Sequence, residues 1–343
     1  VFEEFNSGHD ILYNTSVKKN LILILSFFLF LACAEEAVEK PPEMYWPLPP
    51  EKPRIKLVDI IIGSLDAKAR FGKLKQFLFG VESEVRFIKP FGVAVGERKM
   101  FVTDINGVHY YDFDKGEFKI IGTSELRLPT AVAYAQKRLY VGDSIKKRVY
   151  VYNDKFEPVM EFGFKELDTP SGIAIDDKNQ RIIVSDSKRH CLFVYGLDGR
   201  LITAFGKRGK GQGEFNLPYG ITVDKNGNIY VVDSGNFRLQ ILDEDGNFIK
   251  AFGGAGTAPG SFSRPKGVAL DSEGHIYVVD SAFGNFQIFD FEGNTLLAVG
   301  HTGSGPGEFI LPSSIAINEK DEIYVVDQIN RRVQIFQYLK DRD

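Results

Sequence analysis

Cysteine is nearly absent from this chain of 343 residues: only Cys33 and Cys191 occur. Two cysteines build neither a disulfide framework nor a cysteine-based zinc cluster. A basic excess is also missing. Lys and Arg number 42 against 46 Asp and Glu, a formal net charge of -4. A dedicated nucleic-acid binder carries a cationic surplus, so nucleic acid is not an expected partner. The longest apolar run, Leu21–Leu31, is well short of the roughly 20 residues that cross a bilayer. What the chain has in abundance is glycine, 34 residues, and phenylalanine, 29. Many glycines with many aromatics suit an all-β fold with numerous tight turns.

The first part of the chain reads as a leader. Lys18 and Lys19 precede the apolar run, and Phe30-Leu31-Ala32-Cys33 ends it. A positive start, an apolar stretch and a small residue before a cut make a signal peptide. Its end resembles a bacterial lipobox, which implies lipidation at Cys33 and a lipoprotein signal peptide over residues 1–33. The chain begins with Val, and Val17 stands directly before the lysine pair. Val17 is therefore the expected start, and residues 1–16 an artefact of gene prediction. Residues 34–53 carry Pro41, Pro42, Pro47, Pro49, Pro50 and Pro53 and read as an extended linker. At about 3.1 Å per residue such a linker spans roughly 60 Å. Ala34 stands where Asp often holds Gram-negative lipoproteins at the inner membrane. The resemblance thus implies a lipid-anchored protein of the bacterial cell envelope, at the outer membrane if the source has two.

The remainder repeats. Asp104, Asp143, Asp186, Asp233, Asp280 and Asp327 each close an apolar run, with the last three intervals all 47 residues. A period of this length signals a propeller or a solenoid. Each unit parses into four short strands separated by turns such as Lys225-Asn226-Gly227-Asn228. Inner strands begin FGVAV, TAVAY, SGIAI, YGITV, KGVAL and SSIAI; small residues there let neighbouring sheets approach. The last unit stops after its third strand, RRVQIFQYL, while an unassigned strand, Arg54–Gly63, precedes the first. Pairing the two would close the ring and remove its open edges. The expected fold is an all-β six-bladed β-propeller over residues 54–338, its N-terminal strand closing the last blade. Residues 339–343 form a tail.

The recurring pattern of G-[VI]-[AT]-[VIL], a Tyr-Val-x-Asp-Ser strand end, R-[VL]-Q and P-G-x-F-x-x-P resembles the NHL repeat. It covers roughly residues 54–338. With the leader and linker, the chain resembles NHL-repeat lipoproteins of environmental bacteria. The cysteine count excludes the RING-type zinc module of some animal NHL proteins. Related propellers that are gluconolactonase-like or amidating-lyase-like place metal ligands around the central channel. The equivalent residues here, just before each inner-strand Gly or its counterpart, are Phe91, Thr130, Ser171, Tyr219, Lys266 and Ser313. None is Asp, Glu, His or Asn, so no metal, cofactor or catalytic residue is expected, and the chain is read as not an enzyme. The alternative is a lactonase- or lyase-like propeller enzyme with an unrecognised channel site.

The remaining candidates carry bland expectations. The six aspartates should support the turns between second and third strands, with ion pairs from Asp143 to Arg148, Asp233 to Arg238 and Asp327 to Arg332. His109 and His190 should pack, and Cys191 should be a buried thiol. Gly206–Gly213 fails as a phosphate loop because it lacks Gly-Lys-Ser/Thr and opens no helix. Phe71–Phe79 fits a short amphipathic helix.

Charge supplies direction. Second-to-third-strand turns and inter-blade loops share one face in this topology, here called the top. It holds Lys146, Lys147, Arg148, Lys188, Arg189, Lys207, Arg208, Lys210, Arg264, Lys266, Arg331 and Arg332. Acidic residues such as Asp243, Asp271 and Asp290 collect in the turns of the opposite face. A dipole of this kind steers anionic partners. The expected function is a monomeric, membrane-anchored binding scaffold whose top face takes a protein or an anionic polymer.

Overall fold

The computed structural model describes residues 41–48, 50–69 and 84–340. The leader with Cys33 and the Phe71–Phe79 segment lie outside the described residues. Strand β1 (Tyr45–Trp46) and strand β2 (Ile55–Ile61) come first, then a short helix, α1 (Ser64–Ala69).

Blade 1 contains β3 (Val93–Gly96), β4 (Lys99–Asp104), β5 (Gly107–Asp112) and β6 (Glu117–Ile121). Blade 2 contains β7 (Pro129–Ala135), β8 (Arg138–Asp143), β9 (Arg148–Tyr152) and β10 (Pro158–Phe162). Blade 3 contains β11 (Pro170–Asp176), β12 (Arg181–Asp186), β13 (Cys191–Gly196) and β14 (Leu201–Phe205). Blade 4 contains β15 (Pro218–Val223), β16 (Ile229–Asp233), β17 (Arg238–Leu242) and β18 (Phe248–Gly253). Blade 5 contains β19 (Pro265–Leu270), β20 (Ile276–Asp280), β21 (Asn285–Phe289) and β22 (Thr295–Val299). Blade 6 contains β23 (Pro312–Ile317), β24 (Glu322–Asp327) and β25 (Arg332–Tyr338).

Every blade is an antiparallel sheet, and consecutive inner strands touch all the way round, β23 against β3 included. The fold is therefore an all-β six-bladed propeller, as expected from the repeats. Closure also follows the expected register: β2 pairs antiparallel with β25, from Ile55 opposite Tyr338 to Ile61 opposite Val333. Part of the proline-rich linker joins the blade as well. Tyr45 and Trp46 pair with Lys56 and Ile55, so blade 6 has five strands.

The core is distributed between blades. Each apolar cluster draws on two neighbouring sheets; one joins Ala94, Phe101 and Tyr110 of blade 1 to Val132, Leu139 and Val141 of blade 2. Another packs Ile55 and Leu57 of β2 against Phe286 and Phe309. Second strands bury both faces, which accounts for their continuous apolar runs.

The marker aspartates are all fully buried. They tie together the two ends of a blade's inner hairpin. Asp186 accepts from the backbone N–H of Asp168 (2.6 Å) and Thr169 (2.8 Å) ahead of the inner strand, and from Lys188 (3.1 Å) and Arg189 (3.0 Å) in the following turn. Asp233 and Asp327 receive Arg238 and Arg332 at 2.9 and 2.8 Å, as expected. The expected Asp143–Arg148 pair does not form. Four backbone donors, on Arg127, Leu128, Ile145 and Lys146, occupy Asp143, and Arg148 turns to Glu161 at 3.0 Å.

Candidate functional site: the channel mouth and the top face

The six inner strands enclose a channel of about 310 Å³. Each is entered through a proline, and in five blades the strand is bulged just after it. Pairing skips Thr130 between Pro129 and Ala131, Ser171 between Pro170 and Gly172, and Ser313 between Pro312 and Ser314. In blades 4 and 5 it skips Tyr219-Gly220 and Lys266-Gly267. A bulge re-aims the residues it contains, so these positions form the mouth. Phe91, Thr130, Ser171, Tyr219 and Ser313 line the channel, and in blade 5 Gly267 does so in place of the expected Lys266. The bulge itself was missed, although a proline two residues before the inner-strand small residue recurs in all six units.

Most mouth hydroxyls are spent on the ring. Thr130 Oγ1 donates to Pro170 O at 2.9 Å, Ser171 Oγ to Pro218 O at 2.9 Å, and Ser313 Oγ to Phe91 O at 2.6 Å. Each bond joins one blade to the next. The glycines serve the same approach: a Cβ on Gly172 would stand 2.6 Å from Tyr219 O, and one on Gly267 would stand 2.8 Å from Ile315 N.

Lys266 differs from the other mouth residues. Its ammonium sits 3.6 Å from the centroid of the Tyr219 ring, a cation–π arrangement across blades 4 and 5. Burial, and then the neighbouring Arg264 charge, push its pKa down to about 8. Burial raises that of Tyr219. Lys266, counted both at the mouth and on the rim, is half-buried and rests on Tyr219, a channel-lining residue.

The rim itself is thinner in free charge than its sequence suggests. Lys147 and Lys188 share Asp168, at 3.2 and 3.6 Å, and this triad brings two blades' turns together with an inter-blade loop. Lys207 pairs with Glu214 at 3.3 Å. Arg332 is 8% exposed and bonds Asp327, Gly305 O and Glu308 O. It is a structural residue, which corrects its assignment to a partner-binding face. Arg148 is half-buried, held by Glu161 and Lys146 O. Arg189, Arg208, Lys210, Arg264 and Arg331 remain exposed, while Lys146 is half-buried. Exposed apolar side chains interleave with them: Ile145, Phe164, Leu217 and Ile329.

The acidic opposite face has a local cause. Asp224, Asp243 and Asp290 each close a five-residue turn by accepting from the backbone N–H and the side-chain amide of an Asn four residues on. These bonds hold the carboxyls of Asp243 and Asp290 below the usual range. Much of the face's acidity is thus turn chemistry.

The histidines and thiol behave as packing groups. His109 stacks on Phe87 at 5.1 Å, and His190 Nδ1 accepts from Leu217 N at 3.1 Å. Burial pushes the Cys191 thiol up to about 11. No group of His, Cys, Asp and Glu suited to a metal ion occurs among the described residues. The glycine-rich loop at Gly206 is one of three equivalents, in which Phe215, Phe262 and Phe309 are fully buried beneath Gly206, Gly253 and Gly300.

Solved structures with this fold include virginiamycin B lyase from Staphylococcus aureus, 12% identical with a TM-score of 0.53, covering 73% of this chain and 95% of that one. They also include a gluconolactonase from Xanthomonas campestris, 16% identical with a TM-score of 0.57, covering 74% and 87%. These neighbours overturn the expectation that the chain is not an enzyme: the same architecture carries catalysts, and it excludes neither role. By sequence, Protein brain tumor of Drosophila melanogaster is 32% identical over 139 residues, 37% of this chain. The match spans 13% of that protein's length. A family model described as 6-bladed beta-propeller matches residues 155–239, 225–282 and 270–340, more than half of the chain. On that match and on its six-sheet ring, the chain belongs to the 6-bladed beta-propeller family.

Proposed function

We propose that this propeller is a binding module, held at a bacterial cell envelope by a lipid on Cys33, and that its top face docks an acidic protein surface. The observation that carries this reading is the composition of that face. Arg189, Arg208 and Lys210 have no ion-pair partner among the described residues, and they are interleaved with exposed Ile145, Phe164 and Leu217. Arginine beside exposed apolar side chains is the composition of protein-binding patches. A polyanion would need the lysines that here are matched internally by Asp168 and Glu214. The local similarity to an NHL protein and the leader's resemblance to a lipobox agree with this role.

The test is capture from a native envelope extract by the immobilised propeller, compared with the variant Arg189→Glu, Arg208→Glu, Lys210→Glu. The variant should fold normally, since exposed turn charges contribute little to stability. It should lose capture, and wild-type capture should weaken as salt rises. Capture that survives protease treatment of the extract identifies an anionic polymer instead. Capture unaffected by the substitutions and by salt removes the top face from the function.

A further inference from the structure

The residues that flank the inner-strand prolines carry charge of one sign only. Each inner-strand proline has one neighbour before it and one after it. Among these flanking residues three are cationic, Lys89, Arg264 and Lys266, and none is acidic. Lys266 is fixed by its surroundings. It sits in the bulge of blade 5, and its backbone carbonyl lies against Gly220 of blade 4. Its stem therefore crosses to the Tyr219 ring, where the ammonium rests 3.6 Å from the centroid. Tyr219 also lines the channel, so the cation rests on a channel-lining ring. Arg264, two residues earlier and exposed, disfavours its charge further. The ammonium is thus partly stripped of water and has no ion-pair partner among the described residues; Asp280, opposite Pro265, is taken up by the backbone N–H groups of Ser263 and Arg264. Elsewhere in this molecule, partly buried cations such as Arg181 and Arg238 have a buried carboxylate partner at 2.8 and 2.9 Å. Asp177 lines the channel at the far end of an inner strand, away from Lys266.

We propose that the channel mouth is a binding site for the anionic head group of a small molecule, a carboxylate or a phosphate, held by Lys266 and Arg264 beside the Tyr219 ring. The ligand supplies the counter-charge that the protein omits. A charge-assisted bond to a partly desolvated ammonium is stronger than one on the open surface. The volume of about 310 Å³ suits a small organic ligand. The site shares Arg264 with the top-face rim but uses none of Arg189, Arg208 and Lys210. Because an anion favours the charged amine, whose pKa is down at about 8, binding takes up a proton and weakens as pH rises through that value.

The experiment is calorimetric titration of the purified protein with inorganic phosphate, phenyl phosphate, acetate and benzoate. Saturable one-site binding of at least one probe is expected. Preference for phenyl phosphate over benzoate assigns a phosphate head group, and the reverse a carboxylate. Lys266→Met, which keeps an apolar stem on Tyr219, should weaken the best probe by roughly tenfold or more, and Arg264→Gln by several-fold. Repeating the titration at about pH 9 should weaken it as well. The Arg189→Glu, Arg208→Glu, Lys210→Glu variant should bind the probe as the wild type does, which separates this site from partner docking. Absence of saturation with every probe at millimolar concentrations overturns the proposal. So does unaltered binding in Lys266→Met. If that variant fails to fold, binding that ignores both Arg264→Gln and pH overturns it equally.

Discussion

Gly172 has no room for a methyl group. A Cβ there would meet Tyr219 O at 2.6 Å and Ser185 Oγ at 2.9 Å, and the carbonyl belongs to the next blade's backbone, which cannot swing away. Gly172→Ala should therefore cost about 1–3 kcal/mol through overpacking, read as a lowered denaturation midpoint with an unchanged slope. Wild-type stability in that variant would mean the inner strands are less tightly apposed than their geometry requires. His109 tests burial in a different way. It is fully buried, with Asn106 Oδ1 2.9 Å from Nε2, and burial pushes its pKa down to about 4 against the pull of Asp104. The unfolded chain binds that proton near pH 6.5 while the native protein refuses it. The stability tied to the neutral ring is therefore complete above about pH 6.5 and is lost as pH falls towards 4, by up to roughly 3 kcal/mol. His109→Phe should flatten this part of the pH profile in chemical denaturation measured at several pH values. An unchanged acid slope would assign the loss to carboxylates instead.

At the scale of elements, the closing strand matters more than its length suggests. Strand β2 supplies the outer ladder of blade 6 and three core side chains, Ile55, Leu57 and Ile61. Strand β1 adds only two residues outside it, with Trp46 edge-on to Phe336 at 5.7 Å between centroids. Truncation before residue 52 should lower the melting temperature slightly and preserve a single cooperative transition. Truncation through residue 61 should expose the β25 edge and yield aggregation or a broad transition, because an unpaired apolar edge recruits other chains. A sharp, unshifted transition after the longer truncation would show that the ring holds without this closure. The closing register was legible in the sequence because the last repeat lacks a strand and one spare strand precedes the first. The addition of Tyr45 and Trp46 was not, since a two-residue strand among prolines has no periodicity to read.

On the scale of the whole molecule, the proposed anchor makes a simple demand. Cys33→Ala in the native host should move the protein from the membrane pellet to the soluble fraction, as assayed by fractionation and immunoblotting. Retention in the pellet would place the attachment elsewhere. The opposed charges of the two faces also belong to this scale. They were visible as counts along the chain, yet they arise from different causes. The acidic face follows largely from Asp residues closing turns through their own backbone. The basic face is partly cancelled by Glu214, within the loop that carries Lys207, and by Asp168, which only the apposition of loops brings to Lys147 and Lys188.

The sequence by itself determined the blade count, the strand order within each blade, the closure and the small residues at the axis. All of these follow from local patterns repeated at a fixed period, and repetition multiplies a weak local signal. Tertiary structure alone decided which charges stay available. Arg148 and Asp143 stand five residues apart like Arg238 and Asp233, yet only the latter pair forms: Asp143 takes four backbone donors, and Arg148 finds Glu161 on the neighbouring strand. The sequence counts Lys266 both at the channel mouth and on the rim, and only the bulge and the neighbouring blade show its ammonium on Tyr219. Partner choice among charged side chains depends on distances between segments remote in the chain, and a one-dimensional pattern does not contain those distances.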